Sequence, residues 1–189
     1  MNPHHRPART TTTDRRSTTV TTTGTTDTTT ATAALPFAVE QELGRIPLLW
    51  ARALDTADAS VLEDLLTDDV VVDMTPATTR IGLEFPVLQG SGTVIPTMIG
   101  AVGPLDTMHA VSNVTASRRG DGYLVEAYAL AQHFLPGEGP VATATRHALM
   151  GNTWTFHVRV TPEGHRVERF VMDCRWMEGD PLVLLAAIS

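Results

Sequence analysis

The chain has 189 residues, of which 42% are apolar and 19% charged, as is typical of one globular domain. It contains no apolar run of the roughly 18 residues that a membrane-spanning helix requires, and its single cysteine, Cys174, excludes an intrachain disulfide. All 14 basic residues are arginine, which excludes lysine Schiff bases and Walker-type phosphate sites.

The net charge of −7 is unevenly distributed. Residues 1–34 carry four arginines and two aspartates, whereas residues 35–189 carry ten arginines and nineteen acidic residues, a net charge of −9. A folded region this acidic is a poor partner for nucleic acid or an anionic membrane. We therefore expect its partners to be a small molecule and other protein subunits.

The first 34 residues form a segment of low complexity in which fifteen are threonine. Such a segment has too little apolar surface to offset the entropy lost on ordering, so we predict that residues 1–34 are a disordered tail and that residues 35–189 form a single domain. The tail lacks the apolar core of a secretory signal, and we expect a cytoplasmic protein.

Helical patterns dominate the first part of the domain. Residues 37–54 repeat apolar side chains at intervals of three and four, and Pro47 either kinks this helix or begins a new one. Ser60 and Glu63 have the spacing of a capping box at the start of a second helix that ends near Thr67. A strand at 69–75, a loop at 76–90 and a short helix at 91–102 follow.

Long strands dominate the second part, and we predict them at 107–117, 121–134, 141–160 and 165–178, separated by turns rich in glycine and proline. Helices followed by hairpin-linked strands are typical of an α+β fold. We expect a strongly curved, mainly antiparallel sheet that packs on the N-terminal helices and encloses a pocket.

One face of the strand at 121–134 combines small side chains with a histidine. Period-two alternation places Ala127, Ala129, Ala131 and His133 on the same face. The space that the alanines leave is filled either by a closely packed helix or by a ligand beside His133, and these interpretations are compatible.

Three titratable residues are candidates for catalysis: Asp55 at the end of the first helix, His109 at the start of the first long strand, and His133. A carboxylate that contacts an imidazole fixes its tautomer, and a second imidazole nearby can act as the complementary acid, a combination suited to proton abstraction beside a carbonyl. The alternatives are a structural role for each residue, or a zinc site formed by His109, His133 and His147, although no short-range ligand pair supports zinc.

Several segments resemble scytalone dehydratase: residues 50–58 followed by Leu62, Val72 and Asp73, then Thr107–His109, His133, and the closing residues 173–176. This resemblance extends to the cone-shaped nuclear transport factor 2 (NTF2)-like superfamily, which includes SnoaL-type cyclases and ketosteroid isomerases. It implies an NTF2-like fold, an internal pocket, no metal or organic cofactor, and a homo-oligomer, either a trimer or a dimer. It places Asp55, His109 and His133 at the catalytic positions of the family and Asn152 near its substrate-binding asparagine.

Two departures from the family pattern lie in the implied pocket. Leu54 and Met74 stand where the family has tyrosines, which makes the pocket more apolar. We expect Trp50, Leu54, Met74 and Asn152 to contact the substrate.

The leading hypothesis is a cofactor-independent, dehydratase-like lyase that acts on a small, largely apolar carbonyl compound of secondary metabolism. In it, His109 is the general base, oriented by Asp55, and His133 either is the general acid that assists departure of the hydroxyl or polarises the carbonyl. The alternatives are an isomerase or cyclase that uses the same residues, or a non-catalytic binding or assembly subunit.

Overall fold

The computed structural model describes residues 34–141, 143 and 146–186, and the elements named below belong to them. Helices α1 (Phe37–Asp55) and α2 (Ala59–Leu65) precede strand β1 (Leu66–Asp73), helix α3 (Thr75–Arg80), strand β2 (Leu88–Gln89) and helix α4 (Ser91–Val102). Four long strands follow: β3 (Asp106–Arg119), β4 (Gly122–Phe134), β5 (His147–Thr161) and β6 (Gly164–Gly179). A short 3-10 helix, Pro181–Leu185, ends the described chain. Among these helices, none has the length and hydropathy to cross a bilayer.

The six strands form one mixed sheet in the order β2-β1-β6-β5-β4-β3. Strands β3 to β6 pair antiparallel in chain order, and β1 pairs parallel with β6. Helices α1, α3 and α4 contact strands β3, β6 and β1 respectively. This arrangement confirms the predicted α+β class and the mainly antiparallel sheet.

Irregularities in strand pairing account for the curvature of the sheet. In β3, Asn113 and Val114 lie between the pairs Ser112–Tyr128 and Thr115–Glu126, and Asn113 has a positive φ of 52°. In β6, Glu168 and Arg175 are each left between consecutive pairs with β5. Each extra residue is a β-bulge, which bends its strand and increases the local twist. The sheet can therefore curve around the helices that pack on it.

The apolar stripe predicted for the first helix is the centre of the core. Leu43, Ile46, Trp50 and Leu54 are all buried, and the Trp50 ring stacks on Phe170 with centroids 4.5 Å apart. Because α1 continues through Pro47, the alternative of a second helix starting there is wrong. The uninterrupted helix carries Asp55 to its C-terminal end.

The structure corrects the predicted start of α2. The cap is Asp58, whose carboxylate accepts a hydrogen bond from the backbone N–H of Ser60 at 3.1 Å, so the capping box of Ser60 and Glu63 is wrong. Ser60 already lies inside the helix because an aspartate two residues earlier satisfies the free N–H.

The region between β1 and α4 also differs from its prediction. The strand ends at Asp73 rather than Thr75. The Asp73 carboxylate accepts hydrogen bonds from the backbone N–H and the hydroxyl of Thr75, so that helix α3 starts at Thr75. The predicted loop at 76–90 therefore contains helix α3 and strand β2. Proline is compatible with the first turn of a helix, where its missing N–H leaves no bond unmade, so Pro76 did not prevent α3.

The remaining predictions concern β4, β5 and the tail. On β4, the face with the alanines and His133 is buried, as predicted. The strand predicted from residue 141 begins at His147 instead. The threonine-rich tail lies outside the described residues, except for Ala34.

Candidate functional site

A cavity lies between the helices and the inner face of the sheet. Its volume is about 90 Å³, counted as the space that the centre of a water molecule can reach. Within the described chain, no Arg, Asp or Glu side chain lines it, and most of its wall is aliphatic, aromatic or thioether. The lining residues are Trp50, Leu54, Met74, Thr78, Leu83, Phe85, Met98, Ala101, Val102, His109, Ala131, His133, Met150, Asn152, Trp154, Phe170, Met172, Leu184 and Leu185.

Asp55 and His109 form a closely bonded pair at the wall of this cavity. Asp55 is the last residue of α1, and its carboxylate meets the start of β3. It accepts three hydrogen bonds: from His109 Nδ1 at 2.6 Å, from the His109 backbone N–H at 3.0 Å and from the Thr107 hydroxyl at 2.9 Å. The pair is thus held by both the backbone and the side chains of one strand.

The electrostatics of the pair fix its protonation. Burial raises the pKa of the Asp55 carboxyl, but hydrogen bonds from His109 and Thr107 outweigh burial and lower that pKa below 3.8. Asp55 is therefore an anion near neutral pH and accepts the proton that His109 Nδ1 carries. The other ring nitrogen of His109, Nε2, is the one left for chemistry.

His133 lies on β4 beside His109, with ring centroids 5.3 Å apart and nearly perpendicular planes. Its Nδ1 donates a hydrogen bond to the Ala148 carbonyl at 3.1 Å. Burial, together with the nearby His109, lowers the pKa of His133 from 6.5 to about 4. His133 is consequently neutral near pH 7, with its proton on Nδ1 and a lone pair on Nε2.

The structure brings the predicted site residues together. Six of the seven, namely Trp50, Leu54, Met74, His109, His133 and Asn152, line the cavity, and Asp55 lies directly behind His109. His147 does not line it, because its ring packs against Phe134 with centroids 5.6 Å apart. Among the described residues, no group of three or more His, Cys, Asp and Glu side chains is arranged to hold a metal ion.

Asp55 also faces the opposite side of the wall. It lines an outer groove together with Thr107, Met108, Gln132 and Phe134. Its side chain is 22% exposed, whereas that of His109 is 4% exposed. The pair therefore spans the wall between the cavity and the surface.

Sequence reasoning missed Trp154. This residue lies two positions after Asn152 on β5, lines the cavity, and places its ring 5.7 Å from that of His109. Period-two alternation along the predicted strand, starting from Asn152, was the signal that could have found it.

A model of the SnoaL-like domain matches residues 37–171, which include Asp55, His109, His133 and Asn152. The chain belongs to the SnoaL-like family. A search of curated proteins finds no match to this SnoaL-like domain.

Several solved structures share the fold of this chain. The Kfla4162 protein of Kribbella flavida is 16% identical and has a TM-score of 0.65 over 77% of this chain and 96% of its own. A candidate scytalone dehydratase of Novosphingobium aromaticivorans is 17% identical, with a TM-score of 0.59 over 74% and 86%. A type 2 hexachlorocyclohexane dehydrochlorinase is 12% identical, with a TM-score of 0.56 over 70% and 82%. At these identities the similarity shows the NTF2-like fold.

Proposed function

We propose that this SnoaL-like domain is a cofactor-independent lyase that removes a proton beside a carbonyl in a small, largely apolar compound and then eliminates a leaving group. The observation that carries the proposal is the Asp55–His109 pair at the wall of a buried apolar cavity. An oriented imidazole with one free nitrogen is suited to abstract a proton from a substrate enclosed there.

The elimination needs no acid–base group other than His109. Its Nε2 takes the proton from the carbon next to the carbonyl, and Asp55 stabilises the resulting imidazolium. The electron pair of the C–H bond passes to the carbonyl, forming an enolate, which returns it and expels hydroxide from the adjacent carbon. The His109 imidazolium protonates the departing hydroxide, so the products are a conjugated carbonyl compound and water.

The role predicted for His133 needs revision. Because its Nδ1–H is donated to a carbonyl and the burial of the ring favours the neutral form, Nε2 has no proton to give. We therefore propose that His133 accepts a hydrogen bond from the substrate hydroxyl and positions it, instead of acting as the general acid.

The names of two structural neighbours, a candidate scytalone dehydratase and a dehydrochlorinase, both refer to eliminations and are consistent with this proposal. The state of His133 also favours a second candidate, an isomerase or cyclase, because neither isomerisation nor closure of a ring by an enolate has to expel a leaving group that needs an acid. Both candidates share the first step at His109.

The test has two parts. Wild type and His109→Ala are incubated with β-hydroxy ketones of one or two rings, and conjugated products are followed by absorbance and mass spectrometry. In D2O, exchange of the α-hydrogens of 1-indanone, which has no leaving group, is followed by proton NMR. We expect both reactions in wild type and a loss of roughly two to four orders of magnitude in His109→Ala.

His157→Ala is the matched control, since His157 bonds to Arg119 away from the cavity and its removal should leave the rates unchanged. Exchange without elimination would favour the isomerase or cyclase. Equal rates in wild type and His109→Ala would contradict both and favour a non-catalytic binding protein.

A further inference from the structure

Besides the Nε2 atoms of His109 and His133, two polar atoms of buried residues that line the cavity have no partner among the described residues. They are the side-chain oxygen of Asn152 and the indole Nε1 of Trp154. Both residues are buried and point inward from the same face of β5. A buried donor or acceptor left unpaired costs free energy, so two in one cavity indicate a ligand that pairs with them.

The other polar side chains of the cavity, apart from the Nε2 atoms of His109 and His133, are already engaged. The Thr78 hydroxyl donates to the Met74 carbonyl at 3.1 Å, and His133 Nδ1–H donates to the Ala148 carbonyl. The Trp154 ring is fixed by edge-on contacts with Phe156 and Phe170, with centroids 6.2 Å and 6.0 Å away. Its indole N–H is therefore a donor held in a defined position within the apolar wall.

We infer that Trp154 is the residue that recognises the substrate oxygen: its indole N–H donates a hydrogen bond to the carbonyl of a neutral ketone. This inference rests on the proposed function and adds to it the class of substrate and the group that holds it. The ligand is neutral because no Arg, Asp or Glu side chain of the described chain lines the cavity, and an organic ion there would lack a counter-charge.

The position of Trp154 fits the chemistry at His109. The two ring centroids are 5.7 Å apart in the same wall, so one small molecule that lies against this wall can contact both rings. The oxygen of a ketone and its acidic α-carbon are separated by a single carbon atom. With the oxygen on the indole N–H, the α-hydrogen can face His109 Nε2, and the negative charge that develops on the oxygen is stabilised by a fixed donor.

The experiment follows the indole N–H directly. The chain has three tryptophans, so the ¹⁵N-labelled full-length protein should give three indole correlations, and Trp154→Phe assigns the relevant one. The protein is titrated with 1-indanone and with indane, which has the same rings but no oxygen, up to the solubility of each. We expect 1-indanone to move the Trp154 N–H proton downfield and indane to cause no downfield shift. A Trp154 resonance that 1-indanone leaves in place, or that indane moves equally, overturns the inference.

The second measurement is the ratio of the affinities for 1-indanone and indane. We expect Trp154→Phe, which keeps an aromatic ring but removes the donor, to reduce that ratio by about tenfold. Trp176→Phe is the matched control, because Trp176 is outside the cavity, and its ratio should equal that of wild type. An unchanged ratio in Trp154→Phe would contradict the inference.

These outcomes are separable from those of the proposed function. Asp55→Asn should lose elimination but keep the shift of the Trp154 resonance, because binding of the ketone oxygen does not need the carboxylate. A protein that shows the shift but no catalysis would thus contradict the lyase and leave the recognition site intact.

Discussion

The Asp55 carboxylate receives two of its three hydrogen bonds from a single residue, His109. Three hydrogen bonds hold its charge next to His109, and we expect Asp55→Asn to keep the shape of the site but to remove the support for the imidazolium. Catalysis should fall by roughly two to four orders of magnitude, measured as kcat/KM on the β-hydroxy ketone that wild type converts. Asp64→Asn, an exposed aspartate on α2, is the control. Comparable activity in the two variants would show that Asp55 has only a structural role.

His133 should make the stability of the protein depend on pH. Its folded-state pKa of about 4 is below the ordinary value of 6.5, so the unfolded chain binds more protons between these values. Stability should be fully present above pH 6.5 and should decrease as the pH falls towards 4. Between pH 7.5 and pH 5 this amounts to about 2 kcal/mol of unfolding free energy.

Urea unfolding of wild type and His133→Asn at the two pH values measures this contribution. Each protein is compared with itself at pH 7.5, so any stability that the substitution alone removes does not affect the result. The variant should lose about 2 kcal/mol less than wild type on acidification. Equal losses would show that His133 is protonated in the folded protein at pH 5. The pKa of Asp55 is lowered below 3.8, so this carboxyl does not titrate in this interval.

The sequence predicted which residues meet at the site better than it predicted their protonation. Asp55, His109 and His133 were found from their positions on helix and strand and from the family resemblance. The hydrogen bond from His133 to Ala148 depends on the register of β4 and β5, which no local pattern encodes. Trp154 was missed because an aromatic residue on a strand is most often part of the core.

Strand β4 packs closely against β5 where it leaves the turn after β3. A Cβ atom on Gly122 would collide with the backbone carbonyl oxygen of Val158 on β5, and a backbone cannot rotate away as a side chain can. We expect Gly122→Ala to lower the free energy of unfolding by about 1–3 kcal/mol, measured by urea denaturation.

Gly44→Ala is the matched comparison, because nothing lies within 4 Å of its Cβ position and it lies inside helix α1. This variant should be more stable than wild type by roughly 0.5–1 kcal/mol, since alanine loses less backbone entropy on folding. A destabilised Gly44→Ala together with a neutral Gly122→Ala would contradict this account of the two elements.

The long elements α1 and β4 were predicted more accurately than the short helix α3. The 3.6-residue pattern of α1 and the period-two pattern of β4 each extend over enough residues to be distinguished from chance. Helix α3 has six residues and begins at Thr75, directly before a proline, so its start depends on the Asp73 side chain rather than on periodicity. The same applies to α2, where one carboxylate decides the first residue.

The whole molecule carries an apolar patch on the outer face of its sheet. Tyr128, Leu130 and Trp176 line one shallow depression around Gly151, and each is at least half exposed. Such a patch on a small domain is typical of an interface, and we propose that a second copy of the chain covers it. Trp176→Asp should then convert the oligomer into a monomer in sedimentation equilibrium.

The control for this prediction is Leu48→Asp, which places a charge on an equally exposed leucine of α1. It should leave the mass unchanged. A wild-type protein that sediments as a 20.4 kDa monomer at micromolar concentration would refute the homo-oligomer.

The position of Asp55 within the wall has a consequence for isotopic labels. Water and protons usually enter a pocket by the same route, but here His109 Nε2 faces the cavity and Asp55 reaches the outer groove. A proton taken up at Nε2 can be matched by the Nδ1 proton passing to Asp55 and then to bulk water, without any solvent molecule entering the cavity. Protons would then cross the wall through His109 and Asp55 without water crossing it. A deuterium removed from the substrate would stay on Nε2, and the hydrogen that reaches the medium would be the one from Nδ1.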